Sequence, residues 1–589
     1  MRALALIAFV AGCGGSLFQL TSVDNNRGEL TTALAHRQLP AQPSPINAAR
    51  VPRVFAVLGG PRKQIVAYDL AAGTLMWRQP ADVASRICIG GSFVAELEGK
   101  QLVARDQATG AQTWHVDLDP SRDFVGLATD RDRAYLVWSE HGNGAIAAYD
   151  GASGKLLWHA RADGVLGAPA AQGGVVYVPY ASQWLSIIDG ASGDQLARVR
   201  GIDEQISMLR ATSTEAYFGS KQGVFVLDAS AATGTRKDGS YASVAVPPQL
   251  EPTQYGPDAY DAVQSGYSAN DRARILWSGS LAHAPYAVAY FRFVFGFDPH
   301  GTLVWAYSHP RTELVASADT GAAIVAISQT GDIVALDPKT GALRLDRAIG
   351  TSEPVLGATF DADGWTPPNA GETVETVEAL VAIARDHDER FDRVKQLAVQ
   401  ALAQLPGGAV TRQLLDVLAD PRAPDKLKDD VVELLVARKD PASLAVLAAQ
   451  LATHDDYLAK TQPIALGPVA KAIAGLGGAK LDPAAVASAL AALESHLDAP
   501  TTQIPDLVPV IDAMAAIGGG AERAELSAHL LLYHADDTLG GDPAWGRAIV
   551  GALENHGGPA ERELLRAVAT DPRTRPGLVA IVRDALTAD

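Results

Sequence analysis

YDLAAGTLMW at residues 68–77, RDQATGAQTW at 105–114, YDGASGKLLW at 149–158 and FDPHGTLVW at 297–305 are one phrase written four times. In each, an Asp is followed by a few small or polar residues, then Gly, then a short run ending in Trp. Worn copies at IDGASGDQLA, LDASAATG and LDPKTGALRL bring the aspartates to seven: Asp69, Asp106, Asp150, Asp189, Asp228, Asp298 and Asp337. Apart from one double-length gap they recur about every 40 residues, the period of a β-propeller blade.

The chemistry of the phrase explains the repeat. A short apolar strand precedes most of the aspartates, as at residues 64–68 and 331–336. The run from Asp to Gly then makes a tight turn, because Asp bonds the backbone ahead of it and Gly adopts positive φ without strain. The chain returns as an outer strand carrying Trp. Four such strands cannot bury their own faces, so blades must stack around an axis, and each Trp is expected to pack against a neighbouring blade. The first copy lacks an innermost strand, whereas a spare strand at residues 354–360 follows the last copy. Pairing the two would close the ring and remove an exposed edge. Seven blades are expected, with room for an eighth between Asp228 and Asp298.

The phrase resembles the pyrroloquinoline-quinone (PQQ)-like propeller repeat over residues 52–363. That repeat is shared by quinoprotein alcohol dehydrogenases and by the outer-membrane lipoprotein that scaffolds the β-barrel assembly machine. The dehydrogenases of this family hold PQQ between a vicinal disulfide and a calcium ion. This chain has two cysteines, Cys13 and Cys88, far apart in sequence, and neither a recognisable calcium-ligand set nor a haem-attachment Cys-x-x-Cys-His. The resemblance therefore implies the scaffold, with no cofactor and no enzymatic activity. A PQQ-like ligand-binding protein or quinoprotein oxidoreductase is the alternative, and would show a polar, titratable funnel on the propeller axis. A glycan-binding envelope protein is another, and would show exposed aromatics in a shallow groove.

Arg2, the apolar run of residues 3–10 and Val10-Ala11-Gly12-Cys13 resemble a bacterial lipoprotein signal peptide and lipobox, which implies lipidation of Cys13 as the first mature residue. The apolar run is far too short to span a bilayer, which takes about 20 residues. Gly14 in the next position, instead of Asp, implies outer-membrane sorting, facing the periplasm. Acylation of Cys13 leaves only Cys88, in an apolar stretch where a buried, inert thiol is expected. Residues 14–51 turn polar and proline-containing and read as a flexible tether, with an end-to-end distance on the order of 35 Å.

After the propeller, residues 52–365, the apolar period changes from 2 to 3.6. Val394, Leu397, Ala398, Ala401, Leu402 and Leu405 share one helical face, and Leu427, Val431, Leu434 and Leu435 share another. Breaks at Pro406-Gly407-Gly408, Asp440-Pro441, Gly477-Gly478, Gly518-Gly519-Gly520 and Gly557-Gly558 recur about every 34 to 41 residues, room for two helices each. Residues 371–589 thus resemble a HEAT-like α-solenoid.

The formal net charge of −18 argues against nucleic acid or anionic lipid as a partner, since a phosphate backbone requires a basic face. No zinc-protease, nucleophile-elbow or phosphate-loop motif is present; Gly151-Ala152-Ser153-Gly154-Lys155 falls inside a blade turn, and Asp361-Ala362-Asp363-Gly364 reads as a β-turn. One stretch departs from the repeat. Residues 230–274 are rich in Gly, Pro, Ser and Tyr, and either form a degenerate blade or offer Tyr241, Tyr255, Tyr260 and Tyr267 as an adaptable contact surface. Trp184 falls where a strand-to-strand turn is expected and joins them as a candidate, blade packing being the other reading. The reading is a lipid-anchored envelope scaffold whose propeller and solenoid both contact other envelope proteins.

Overall fold

The computed structural model describes residues 16–18, 51–181, 184–200, 206, 208–211, 215–220, 223–228, 242–243, 274–276, 284–310, 312–368, 376–452 and 466–587. Cys13 and the four tyrosines Tyr241, Tyr255, Tyr260 and Tyr267 lie outside the described residues, as does most of the stretch read as a tether. The chain divides into two compact units, Met1–Thr376 and Val377–Asp589.

Among the described residues, the first unit is built of seven sheets, each a blade of four antiparallel strands, and Ser16–Phe18 adds a fifth, parallel strand beside Leu156–Ala162 in one of them. Only the first blade breaks the consecutive order: Val355–Asp361 supplies its innermost strand, antiparallel to Arg53–Leu58, which is followed outward by Gln64–Asp69 and Thr74–Pro80. The late strand thus closes the ring where the spare strand in the sequence pointed. Innermost strands touch in ring order: Val355–Asp361 contacts Cys88–Ile89, which contacts Asp123–Asp130, which contacts Ala170–Gln172, while Leu314–Asp319 returns to Val355–Asp361. The middle strands are buried on both faces. Each apolar cluster straddles two blades; Val54, Val66 and Tyr68 of the first pack with Val315, Val325 and Ile333 of the seventh. Phe93 and Ala104 of the second pack with Leu136 and Ala147 of the third. A blade therefore has no core of its own.

The repeated phrase forms the lock between blades. Asp69 Oδ1 accepts from the backbone N–H of Ala71 and Ala72, both at 2.8 Å. Asp106, Asp189 and Asp337 do the same two and three residues on. The indole N–H of each Trp donates across the joint to the carbonyl just after the Asp of the next blade: Trp77 to Gln107 (2.9 Å), Trp114 to Gly151 (2.8 Å), Trp158 to Gly190 (3.0 Å) and Trp305 to Pro338 (3.0 Å). The ring then lies on the turn glycine. A Cβ added to Gly110, Gly154, Gly193 or Gly341 would come within 2.5 to 2.7 Å of the facing indole, so these positions exclude side chains by contact as well as by their positive φ.

A β-bulge aims each Trp. Ala67 pairs with Trp77 but Tyr68 pairs with Leu75, which leaves Met76 extra. The same one-residue slip leaves Thr113, Leu157, Leu196, Val304 and Arg344 extra in five other blades. The added residue turns the outer strand so that the side chain after it faces the neighbouring blade. Between the seventh blade and the first, Leu345 stands where Trp would. Arg347 supplies the donor instead, bonding the Leu70 and Ala71 carbonyls at 3.2 Å.

In the second unit, twelve α-helices are described, from Thr376–Ala384 to Pro576–Thr587. Contacts run between helices two apart in sequence, as in Asp392–Gln404 with Asp425–Arg438, Leu466–Ala474 with Ile504–Ile517, and Ile504–Ile517 with Pro543–His556. Two stacked rows result, the arrangement of a helical array. The glycine and proline breaks read in the sequence all fall at or between helix ends. Asp482 and Asp542 cap helices whose first residue is Pro, each accepting from backbone N–H groups of the opening turn, the pattern that satisfies orphan donors and fixes φ at once. Arg438 reaches back to the carbonyls of Ala403 (2.8 Å) and Leu405 (2.6 Å) at the end of an earlier helix and is held by Asp440. His534 similarly joins Asp571 at 3.3 Å, tying neighbouring turns of the array together.

Candidate functional site

A buried polar cluster lies between the first and second blades. Arg53 bonds the carbonyl of Gln107 (3.2 Å) and its side-chain oxygen (3.1 Å), and faces Asp361 of the closing strand at 3.5 Å. Gln107 in turn donates to the carbonyls of Gly90 and Phe93. On the same face of the second blade, Glu96 accepts from Arg105 Nε at 2.8 Å, and Arg105 also bonds Glu98 and the Gly110 carbonyl. Glu96 is fully buried and its Oε2 has no hydrogen-bond partner. Burial dominates its ionisation, Arg105 opposing it, and the carboxyl is pushed up to about 8 from its ordinary 4.5.

The folded protein therefore keeps this proton at pH values where the unfolded chain has lost it. That contribution to stability is complete below about 4.5 and falls away as the pH rises through about 8. Glu96→Gln keeps the acceptor for Arg105 and removes the titration. The variant is expected to lose less melting temperature than the parent between about pH 5 and pH 9. Parallel pH profiles for the two proteins would show that Glu96 is not the group responsible.

Carboxylates on the described innermost strands stand only at strand ends and are engaged in structure. Asp130 accepts from Arg131 N and Gly174 N, Asp319 from Gly321 N, Asp361 faces Arg53, and the exposed Asp123 lies 3.9 Å from Lys100. Among the described residues, no group of three His, Cys, Asp or Glu side chains is placed to hold a metal. Cys88 is buried and donates to the Leu127 carbonyl at 3.2 Å. Trp184 does not sit in the expected turn but is the first residue of the strand Trp184–Asp189, half-buried and packed against the cluster between the third and fourth blades. It lies on the ladder with Tyr180 and Arg200.

What the fold leaves open is the outer rim. Leu75 and Met76, Leu156 and Leu157, and Val304 are exposed apolar side chains immediately before a locking Trp. The bulge produces this: it turns Trp inward and leaves its predecessors in solvent. These apolar pairs were present in the phrase itself, as LMW, LLW and LVW, but only the folded strands show which of them are exposed, Leu303 being half-buried. In the helical unit, Leu531 and Leu532 are likewise exposed, near the end of the helix Gly520–Tyr533. An extended segment already uses one rim. Ser16–Phe18 runs parallel to Leu156–Ala162, the outer strand of the third blade, so this part of the expected tether is a strand.

The family described as outer membrane protein assembly factor BamB matches residues 19–123 and 98–242. That match covers less than half of the chain, all of it within the first unit. Among solved structures, BamB from Moraxella catarrhalis is 17% identical, with 54% of this chain and 87% of that chain covered and a TM-score of 0.32. Quinohemoprotein alcohol dehydrogenase from Comamonas testosteroni is 12% identical, covering 50% and 66%, with a TM-score of 0.34. A europium-containing methanol dehydrogenase is 11% identical, covering 52% and 79%, with a TM-score of 0.33. No curated protein matches the chain. In the blades described above, the Asp, Gly and Trp of the repeated phrase are engaged in holding neighbouring blades together.

Proposed function

We propose that the protein is a lipid-anchored scaffold of the bacterial cell envelope, facing the periplasm from the outer membrane and acting by binding other proteins, without catalysis of its own. The BamB-like repeat match supports an envelope-associated, protein-interaction role. The observation that carries the reading is the engagement of the polar side chains: Asp, Trp and Gly of the repeat lock the blades, and the inner-strand carboxylates cap turns or face Arg53. Exposed apolar pairs on the rims and at Leu531-Leu532 supply contact surface in both units. Trp184, Tyr241, Tyr255, Tyr260 and Tyr267 complete the candidate aromatic contacts, and Cys13 is the anchor.

Cys13→Ser is expected to move the protein from the membrane fraction to the soluble fraction with an unchanged melting temperature, because the lipid site is remote from both cores. The lipidated parent, captured from its own envelope, is expected to bring other envelope proteins with it. A Cys13→Ser protein still sedimenting with membranes would sink the anchor, and capture of the parent alone would sink the scaffold.

A further inference from the structure

Among the described residues, the outer strand of the third blade is the one rim paired with an added strand. Ser16 stands opposite Arg161 and Phe18 opposite Ala162, in parallel pairing along an edge whose backbone groups would otherwise face water. Cys13 precedes Ser16 by three residues, a distance the chain spans with at most about 10 Å. A lipid carried on Cys13 would then lie within that reach of the strand Ser16–Phe18.

The rest of that strand suits an interface. It reads Lys155-Leu156-Leu157-Trp158-His159-Ala160-Arg161, and Lys155, Leu156, Leu157, His159 and Arg161 are all exposed. Leu156 is 47% and Leu157 41% exposed. No acidic side chain interrupts the run; Glu140 is 4.0 Å from Arg161, on the neighbouring part of the sheet. Aliphatic side chains beside cations match the boundary between acyl chains and lipid phosphates. The net charge of −18 acts over a screened range of about 8 Å at physiological salt, so the local composition of the touching strand decides.

We propose that Ser16–Phe18 docks the N-terminal segment on the rim of the third blade and so turns that rim, with Leu156 and Leu157, onto the phospholipid surface that holds the lipid of Cys13. The inference rests on the anchor reading above and adds an orientation: the ring hangs by its third blade, with the first and sixth rims directed elsewhere.

The test uses the full lipidated chain with Cys88→Ala, in vesicles of phosphatidylethanolamine and phosphatidylglycerol that contain a spin-labelled lipid. A fluorophore is placed at Leu157→Cys or, separately, at Val304→Cys on the sixth blade. Quenching at the first position is expected to exceed that at the second several-fold. In the same background, Ser16→Cys and Arg161→Cys are expected to be joined by a short thiol crosslinker. Equal quenching at the two positions, or no crosslink, overturns the proposal. Retention of Cys13→Ser on membranes would instead overturn the anchor reading, and is scored separately by fractionation.

Discussion

Trp305→Ala is expected to lower the stability of the propeller by about 3 to 5 kcal/mol, the largest single-residue effect in the ring. Its side chain is 1% exposed, its N–H bonds the Pro338 carbonyl, and its ring covers Gly341. Truncation leaves a cavity between the sixth and seventh blades and an unpaired carbonyl at once. Trp158 makes the same hydrogen bond but is only half-buried, so Trp158→Ala should cost less. Chemical denaturation of the two variants, compared at the transition midpoint, reads the difference. Equal losses would mean that the hydrogen bond, and not the buried ring, carries the lock.

Removal of the closing strand should have a still broader effect. A fragment ending at Pro368 retains Val355–Asp361 and is expected to unfold cooperatively with a β-type circular dichroism signal. One ending at Glu353 loses the ladder to Arg53–Leu58 and the contacts of that strand with Cys88–Ile89 and Leu314–Asp319. It leaves the buried first blade with an open inner edge, and is expected to show no cooperative transition and to aggregate through that edge. Similar melting curves for the two fragments would show that the outer joints suffice to hold the ring.

The parts of the fold legible in the sequence were those whose chemistry is local or repeats at the blade period. Asp, Gly and Trp act on the next few residues or on the same positions one blade on, and the missing first inner strand had one evident substitute. Glu96 was not legible. In Phe93–Glu98 the alternation Val94, Glu96, Glu98 reads as a wetted face, but a propeller covers both faces of its middle strands, and that acid is buried against the first blade. The bulges were hidden for a related reason. A strict period of 2 has no place for an extra residue, so Met76, Leu157 and Val304 could not be assigned to the rim before the register was known. Trp184 was expected in a turn and instead begins a strand. In the helical unit the breaks were plain, whereas the pairing of His534 with Asp571 joins residues too far apart in sequence for a local pattern to reveal.

At the four joints that carry Trp, the lock is made from one donor on the trailing side of a unit and one main-chain carbonyl with a bare glycine on the leading side. Neither half depends on the identity of its neighbour, so a unit copied within the ring meets matching halves on both sides. The seam is different: there Arg347 takes the place of the indole and a strand from the far end of the chain completes the sheet. Gene duplication can therefore lengthen such a ring from within, while the seam must stay single, and it is the seam that gives an otherwise interchangeable circle of parts a beginning and an end.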